Sequence, residues 1–104
     1  MRESTVIVVL TRSPFSDAAE ALSNLVNPLA GQVDDVKMYL FYDGVLVVKK
    51  GTRLETKMRE LTRKGVAIIV DGREFKARGL GEMIEGVKVL DHPVSELVDD
   101  IMAE

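Results

Sequence analysis

Residues 65–80 read Gly-Val-Ala-Ile-Ile-Val-Asp-Gly-Arg-Glu-Phe-Lys-Ala-Arg-Gly-Leu. Val66 to Val70 is an unbroken apolar run rich in β-branched residues, the signature of a strand buried on both faces of a sheet. It stops at Asp71-Gly72, where a short helix is predicted. Asp71 is placed to cap its first turn, Glu74 to reach back as in a capping box, and Gly79 to close it in a left-handed conformation. The stretch thus reads as a central strand that delivers polar groups to its carboxyl edge, where open α/β sheets place their ligands. No nucleophile stands at that edge.

The same pattern recurs on either side. Val6 to Leu10 reads as a first buried strand, and Ser13 with Pro14 supplies an N-cap and a proline at the first helical position. Phe15, Ala18, Leu22, Leu25, Val26 and Leu29 keep helical spacing, with Asp17, Glu20, Ser23 and Asn24 left outside. Proline inside a helix costs on the order of 3 kcal/mol, so the helix is predicted to end near Asn27, with a turn over 28–31. Val36 to Tyr42 is the second strand, ending at Asp43-Gly44 as the third ends at Asp71-Gly72. Val45 to Val48 suits a strand or a short helix, and the helix is favoured because a parallel sheet needs a crossover there.

Thr52 and Glu55 offer another capping box. Leu54, Met58 and Leu61 form one apolar stripe before Lys64-Gly65 ends the helix. Beyond Leu80, residues 81–86 are expected to make a turn of helix and Val87 to Leu90 a fourth strand. A final helix follows, with Val94, Leu97, Val98, Ile101 and Met102 on one face, packing on the sheet or covering a partner. The alternation predicts a three-layer α/β/α fold with a mainly parallel sheet of four or five strands and right-handed crossovers.

Composition sets the limits of function. The 104 residues suit a single domain, long enough to bury roughly two-thirds of the surface its unfolded form exposes. A net charge of -3 carries no basic footprint, so no direct nucleic-acid partner is expected. The absence of cysteine excludes disulfides, thiolate metal ligands and any thiol nucleophile or persulfide carrier on this chain. The leading apolar run, Val6 to Leu10, is too short for a signal-peptide core or a membrane span, which points to a cytoplasmic protein without membrane contact.

A parallel sheet would gather Thr11, Arg12, Ser13, Asp43, Asp71, Arg73, Asp91 and His92 at its carboxyl edge. Two helix N-termini would point there as well. Arg12 and Arg73 as clamps, with the Ser13 hydroxyl as a donor, would suit a sulfate, phosphate or small carboxylate, and Asp43 and Asp71 would border that site. The simpler reading, which is preferred, makes Ser13, Asp43 and Asp71 helix caps and leaves the arginines solvated. Acid–base catalysis by Asp43 and Asp71 is disfavoured, since a capping carboxylate works ionised whereas a general acid must hold its proton. His92, the only histidine, has no second histidine for a metal and sits before Pro93 as in a surface turn. Leu10 to Phe15 contains no glycine, which argues against a dinucleotide or phosphate loop. The first strand also ends in Thr-Arg-Ser, where a receiver domain needs an acidic pair to hold magnesium. No metal or cofactor is expected. Lys49-Lys50 and Arg63-Lys64 read as solvated helix ends that complement the dipole.

Three segments taken together resemble the DsrE/DsrF/DsrH group of small sulfur-relay proteins, most nearly the DsrH or TusB branch. They are Leu10-Thr11-Arg12-Ser13-Pro14-Phe15, Asp43-Gly44-Val45, and Phe75-Lys76-Ala77-Arg78-Gly79-Leu80. The resemblance implies a compact α/β/α fold with a parallel sheet. Members of the DsrE or TusD type carry a cysteine near the end of the third strand, and by count from Ala77-Arg78-Gly79 its place here is about Asp71. A carboxylate cannot hold a persulfide. The resemblance therefore implies a non-catalytic subunit, acting as a homo-oligomer or as a hetero-oligomer with DsrE/DsrF-like proteins, in sulfur transfer for tRNA thiolation or sulfur oxidation.

Overall fold

The computed structural model describes residues 5–11, 17–33, 35–52 and 54–102. Four strands, β1 (Thr5–Leu10), β2 (Asp35–Leu40), β3 (Ala67–Asp71) and β4 (Lys88–Leu90), form one sheet in the order β1-β2-β3-β4, every pair parallel. The helices are α1 (Asp17–Leu29), α2 (Glu55–Arg63), α3 (Gly72–Ala77) and α4 (Pro93–Met102), and a 3₁₀ segment spans Tyr42–Val48. The architecture is the expected α/β one. No helix among the described residues is long and apolar enough to cross a membrane.

Strand order decides where the core lies. With sequential strands side by side, each connection packs against the same face. That face buries Leu10, Val36, Met38, Leu40, Ile68 and Val70 beneath α1, α2, the 3₁₀ segment and Ile84. The predicted stripe of α2 is confirmed: Leu54, Met58 and Leu61 are fully buried. The second face carries a smaller cluster, Tyr39, Phe41 and Ile69, with Ile7, Leu90 and Leu97 against it. The rings of Tyr39 and Phe41 stack 6.2 Å apart. β3 is thus buried on both faces, as its apolar run implied.

Several expectations need correction. α1 runs through Pro28 to Leu29, because a proline in the final turn forfeits only the bond its N–H would give to the Asn24 carbonyl, and Ala30 N–H still reaches Val26 O at 3.2 Å. Leu22, Val26 and Leu29 face the core as expected, but Ser23 is buried and Leu25 exposed. α1 leans on α2 as well as on the sheet, with Lys57 bonded to Asn24 and Lys64 to Asn27, and this rotates the buried arc. The predicted start of that helix at Ser13 and Pro14 lies outside the described residues. β2 ends at Leu40, and Tyr42 takes a positive φ of 51° to open the 3₁₀ segment that replaces the expected short α-helix.

At α2, Thr52 does not cap: its hydroxyl is buried without a partner, while the Glu55 carboxylate reaches back to Gly51 N–H at 2.6 Å. Residues 81–86 form no helical turn. Gly81 and Gly86 both adopt positive φ, which breaks a helix at either end, and the segment runs extended beside the 3₁₀ exit, with Ile84 N–H on Val48 O at 2.8 Å. Lys50 is not merely solvated: it pairs with Glu82 at 3.3 Å.

α4 is the largest departure. It lies on the second face, but Leu97 is the stripe residue that packs there, while Val94 (58% exposed), Val98 (49%), Ile101 (54%) and Met102 (78%) remain open. Polar contacts hold the helix instead. Asp100 accepts from Lys37 Nζ at 2.8 Å and from the buried Tyr39 hydroxyl, and Lys88 pairs with Glu96 at 3.0 Å. The Lys37 and Tyr39 hydrogen bonds hold the Asp100 carboxyl below its ordinary 3.8. Burial, and then the bond to Asp100, pushes the Tyr39 hydroxyl above its ordinary 10.0. Asp100 therefore stabilises fully above about pH 4, and its share is lost as pH falls through its depressed folded value. Tyr39 contributes fully below about pH 10, and its share is lost as pH rises through its raised value. The melting temperature is expected to be highest between those limits. Asp100→Asn should lower it at neutral pH and flatten the acid limb, and superimposable pH profiles for the two proteins would disprove the clamp.

Candidate functional site

The strands deliver their carboxyl ends in spatial order, and this regroups the residues proposed from the sequence. β1 and β3 are separated by β2, whereas β3 and β4 are neighbours. Asp71 and Arg73 accordingly meet Asp91 and His92, while Asp43, after the other neighbour β2, bonds Arg78 rather than lining the same cleft. Arg12 and Ser13 lie outside the described residues.

Asp71 ends β3 and caps α3: its Oδ1 accepts the Glu74 N–H at 3.1 Å. The capping box is not reciprocal in the expected way, because the Glu74 carboxylate engages Arg78 at 2.9 Å. α3 starts tight against β4. A Cβ on Gly72 would stand 2.5 Å from Val89 Cγ1, so the residue after the cap must be small. Gly79 closes the helix with φ 61°, as anticipated.

Asp43 is brought to the same edge by the turn after β2. That turn is pinned to β1: Phe41 N–H reaches Leu10 O at 3.0 Å, and a Cβ on Gly44 would lie 2.1 Å from the same oxygen. Arg78 then links the turn to α3, bonding Asp43 at 2.7 Å through Nη1 while its Nε and Nη2 hold Glu74. The two carboxylates, first Asp43 and then Glu74, raise the Arg78 guanidinium above its ordinary value. Asp43 and Asp71 are thus each committed to a different donor. Sequence reasoning did not single out this Arg78 hub. The i,i+4 spacing of Glu74 and Arg78 was the available signal.

Between α3 and the start of α4 lies an open cleft of about 520 Å³, lined by Asp71, Arg73, Glu74, Asp91, His92 and Ser95 among others. Gly72, Lys76 and Ala77 line its continuation. Among the described residues, the Arg73 guanidinium and the His92 ring make no ion pair or hydrogen bond. The cleft therefore offers an exposed guanidinium and an imidazole beside carboxylates at the edge where a parallel sheet places ligands. Among the described residues no group of three or more acidic or histidine side chains is arranged to hold a metal ion.

Residues 12–104 match the family model described as DsrH like protein. No curated protein matches the chain. Among solved structures, MTH1491 from Methanobacterium thermoautotrophicum, a protein of unknown function, superposes with a TM-score of 0.78 at 20% identity, covering 98% of this chain and 94% of its own. The ychN protein from E. coli superposes with a TM-score of 0.70 at 18% identity, covering 86% and 85% respectively. At these identities the two structures speak to the fold alone.

The capping role of Asp71 has a measurable size. Asp71→Ala should cost about 1 kcal/mol in urea unfolding and Asp71→Asn appreciably less, since the amide oxygen still accepts the Glu74 N–H. Equal losses would mean that the charge rather than the cap matters.

Proposed function

Because the chain belongs to the DsrH-like family, we propose that it is a non-catalytic, oligomeric accessory subunit of intracellular sulfur relay, serving tRNA thiolation or sulfur oxidation in the cytoplasm. The observation that supports this reading is the absence of cysteine. Asp71, at about the position where the resemblance places the DsrE-type thiol, spends its side chain on the Glu74 amide. Sulfur relay proceeds by attack of a thiolate on a persulfide, a step this chain cannot take. What remains to it is to complete or position the site of a cysteine-bearing partner.

The experiment is co-expression with the DsrE- and DsrF-like chains of the same organism, followed by size exclusion with mass determination and a labelled-persulfide transfer assay. A stable complex is expected in which radioactive sulfur from a cysteine desulfurase rests on the partner and never on this chain. Absence of any complex removes the accessory role, and covalent label on this chain removes the non-catalytic one.

A second reading, a small anion- or nucleotide-binding protein, is favoured by one feature: Arg73 stands unpaired in the cleft, beside the first turn of α4. Phosphate, sulfate or a nucleotide at about 100 times its dissociation constant should then stabilise the fold by roughly 2.7 kcal/mol, and Arg73→Ala should abolish the gain. A melting temperature unmoved by the whole panel rejects this reading.

A further inference from the structure

α4 meets the sheet along a single ridge. Pro93, Glu96, Leu97 and Asp100, its unexposed residues, follow the i, i+3, i+4, i+7 spacing of one helix face. Strand register shows what lies beneath: Tyr39 pairs with Ile69 and Ile69 with Lys88, so the three stand in one row across β2, β3 and β4. Lys37 shares the face of Tyr39, two residues away on the same strand. Glu96 holds Lys88 at one end of the row, Asp100 holds Lys37 and Tyr39 at the other, and Leu97 packs on the cluster. The helix is tied down at both ends through carboxylates.

The first-face helices are held differently. α1 sends Val26, and α2 with its approach Leu54, Met58 and Leu61, into the main core, where all four are fully buried. Among the described residues that core includes none from α4. α4 also follows β4 in the chain, so lifting it unpairs nothing in the sheet.

Ion pairs between part-exposed groups hold weakly, since water and salt compete for them. Lys37–Asp100 is such a pair, and Lys88–Glu96 is more exposed still. Release strands no polar group, because the Tyr39 hydroxyl exchanges Asp100 for water. What opposes it is chiefly the re-exposure of apolar surface on the second face. Among the described residues that cluster has three buried members, against sixteen in the main core, so lifting α4 costs far less than unfolding the chain.

We infer that α4 is a releasable cover: it lifts from the second face as one unit while the sheet and the first-face helices stay folded, baring Tyr39 and Ile69 and freeing Lys37 and Lys88 of their carboxylates. Opening of this local kind belongs to elements with few buried apolar contacts. Access to the second face is then set by two ion pairs and Leu97 rather than by the stability of the core.

Two neighbours on β3 make the test, because Ile68 is buried in the main core and Ile69 in the second-face cluster. The chain has no cysteine, so Ile68→Cys and Ile69→Cys each place a single thiol whose labelling by dithionitrobenzoate can be followed. The thiol at position 69 should label at least about a hundredfold faster than the one at 68, through an opening short of global unfolding. Urea below the unfolding midpoint should speed position 68 steeply and position 69 only slightly, since lifting one helix exposes far less surface than unfolding. Asp100→Asn should speed position 69 several-fold. Equal rates at the two positions, a urea dependence as steep at 69 as at 68, or a rate at 69 indifferent to Asp100→Asn overturns the inference. Should a thiol variant fail to fold, hydrogen exchange of the unsubstituted chain makes the same comparison. The α4 amides are then expected to exchange faster than those of β3 and with a weak urea dependence, and matching protection and urea dependence in α4 and β3 overturn the inference equally.

Discussion

The structure depends on a topological constraint. Strands that follow one another in both sequence and space send each connection to the same face of the sheet, so the chain builds one thick layer of helices and leaves the other face to whatever comes after the last strand. Among the described residues, α4 is the element that follows it. A parallel sheet is normally covered on both sides, and here one helix of ten residues must serve a face that β1, β2 and β3 have already made apolar. The manner of its docking follows from that burden. Tyr39 is buried, and its hydroxyl must find an acceptor, since leaving it unmet costs about 1–3 kcal/mol. Asp100 supplies the acceptor and takes Lys37 as well. The helix is therefore oriented by a polar clamp rather than by its apolar stripe, and that is why the stripe faces outward.

Much of the architecture was legible in the sequence because it rests on local signals. The run of residues 66–70, the cap at Asp71, the stripe of Leu54, Met58 and Leu61, and the closing Gly65 and Gly79 each depend on neighbours within a few residues. All of them stand in the structure. The misreadings share the opposite character. Ser23 faces inward because of α2, the segment around Ile84 is extended because it pairs with Val48, and α4 is turned because of Lys37 and Tyr39, more than 60 residues away. Helical periodicity names an apolar face but not the surface that will meet it. Lys37 and Tyr39, two apart on one strand and so on one face, were the only local trace of the clamp.

The same limit applies to the carboxyl edge. That Asp43, Asp71, Arg73, Asp91 and His92 would reach one edge follows from parallel strands, but which of them meet depends on strand order, and periodicity is silent on order. The order found sets the ends of β2 and β3 side by side, yet Asp43 goes to Arg78, at the C-cap of α3, while Asp71 stays with the amide of Glu74. Arg78 thereby locks the turn after β2 to the helix after β3, and Gly44 lets that turn press on the end of β1. Three strand ends are held in fixed relation by ordinary hydrogen bonds and one ion-pair hub. The edge is rigid before any ligand or partner arrives, which lowers the ordering cost of binding there.

Rigidity at the edge and bareness on the second face belong together. A chain that carried sulfur itself would need a thiolate with lowered proton affinity, accessible to its donor, and this sequence has no cysteine. The end of β3 holds a carboxylate locked into a helix cap, and Asp43 and Glu74 are spent on Arg78. Among the described residues two kinds of group stand out as uncommitted: Arg73 and His92 at the mouth of the cleft, and the open apolar stripe of α4. The first kind is cheap to leave in water. The second is not, since each buried methylene is worth about 0.8 kcal/mol, and a stripe of Val94, Val98, Ile101 and Met102 left open forgoes that gain in the isolated chain. Free energy of this size, withheld from folding and stored on a face bordered by the clamp, is available to association. The open stripe of α4, more than the cleft, is therefore where the isolated chain leaves apolar burial unrealised.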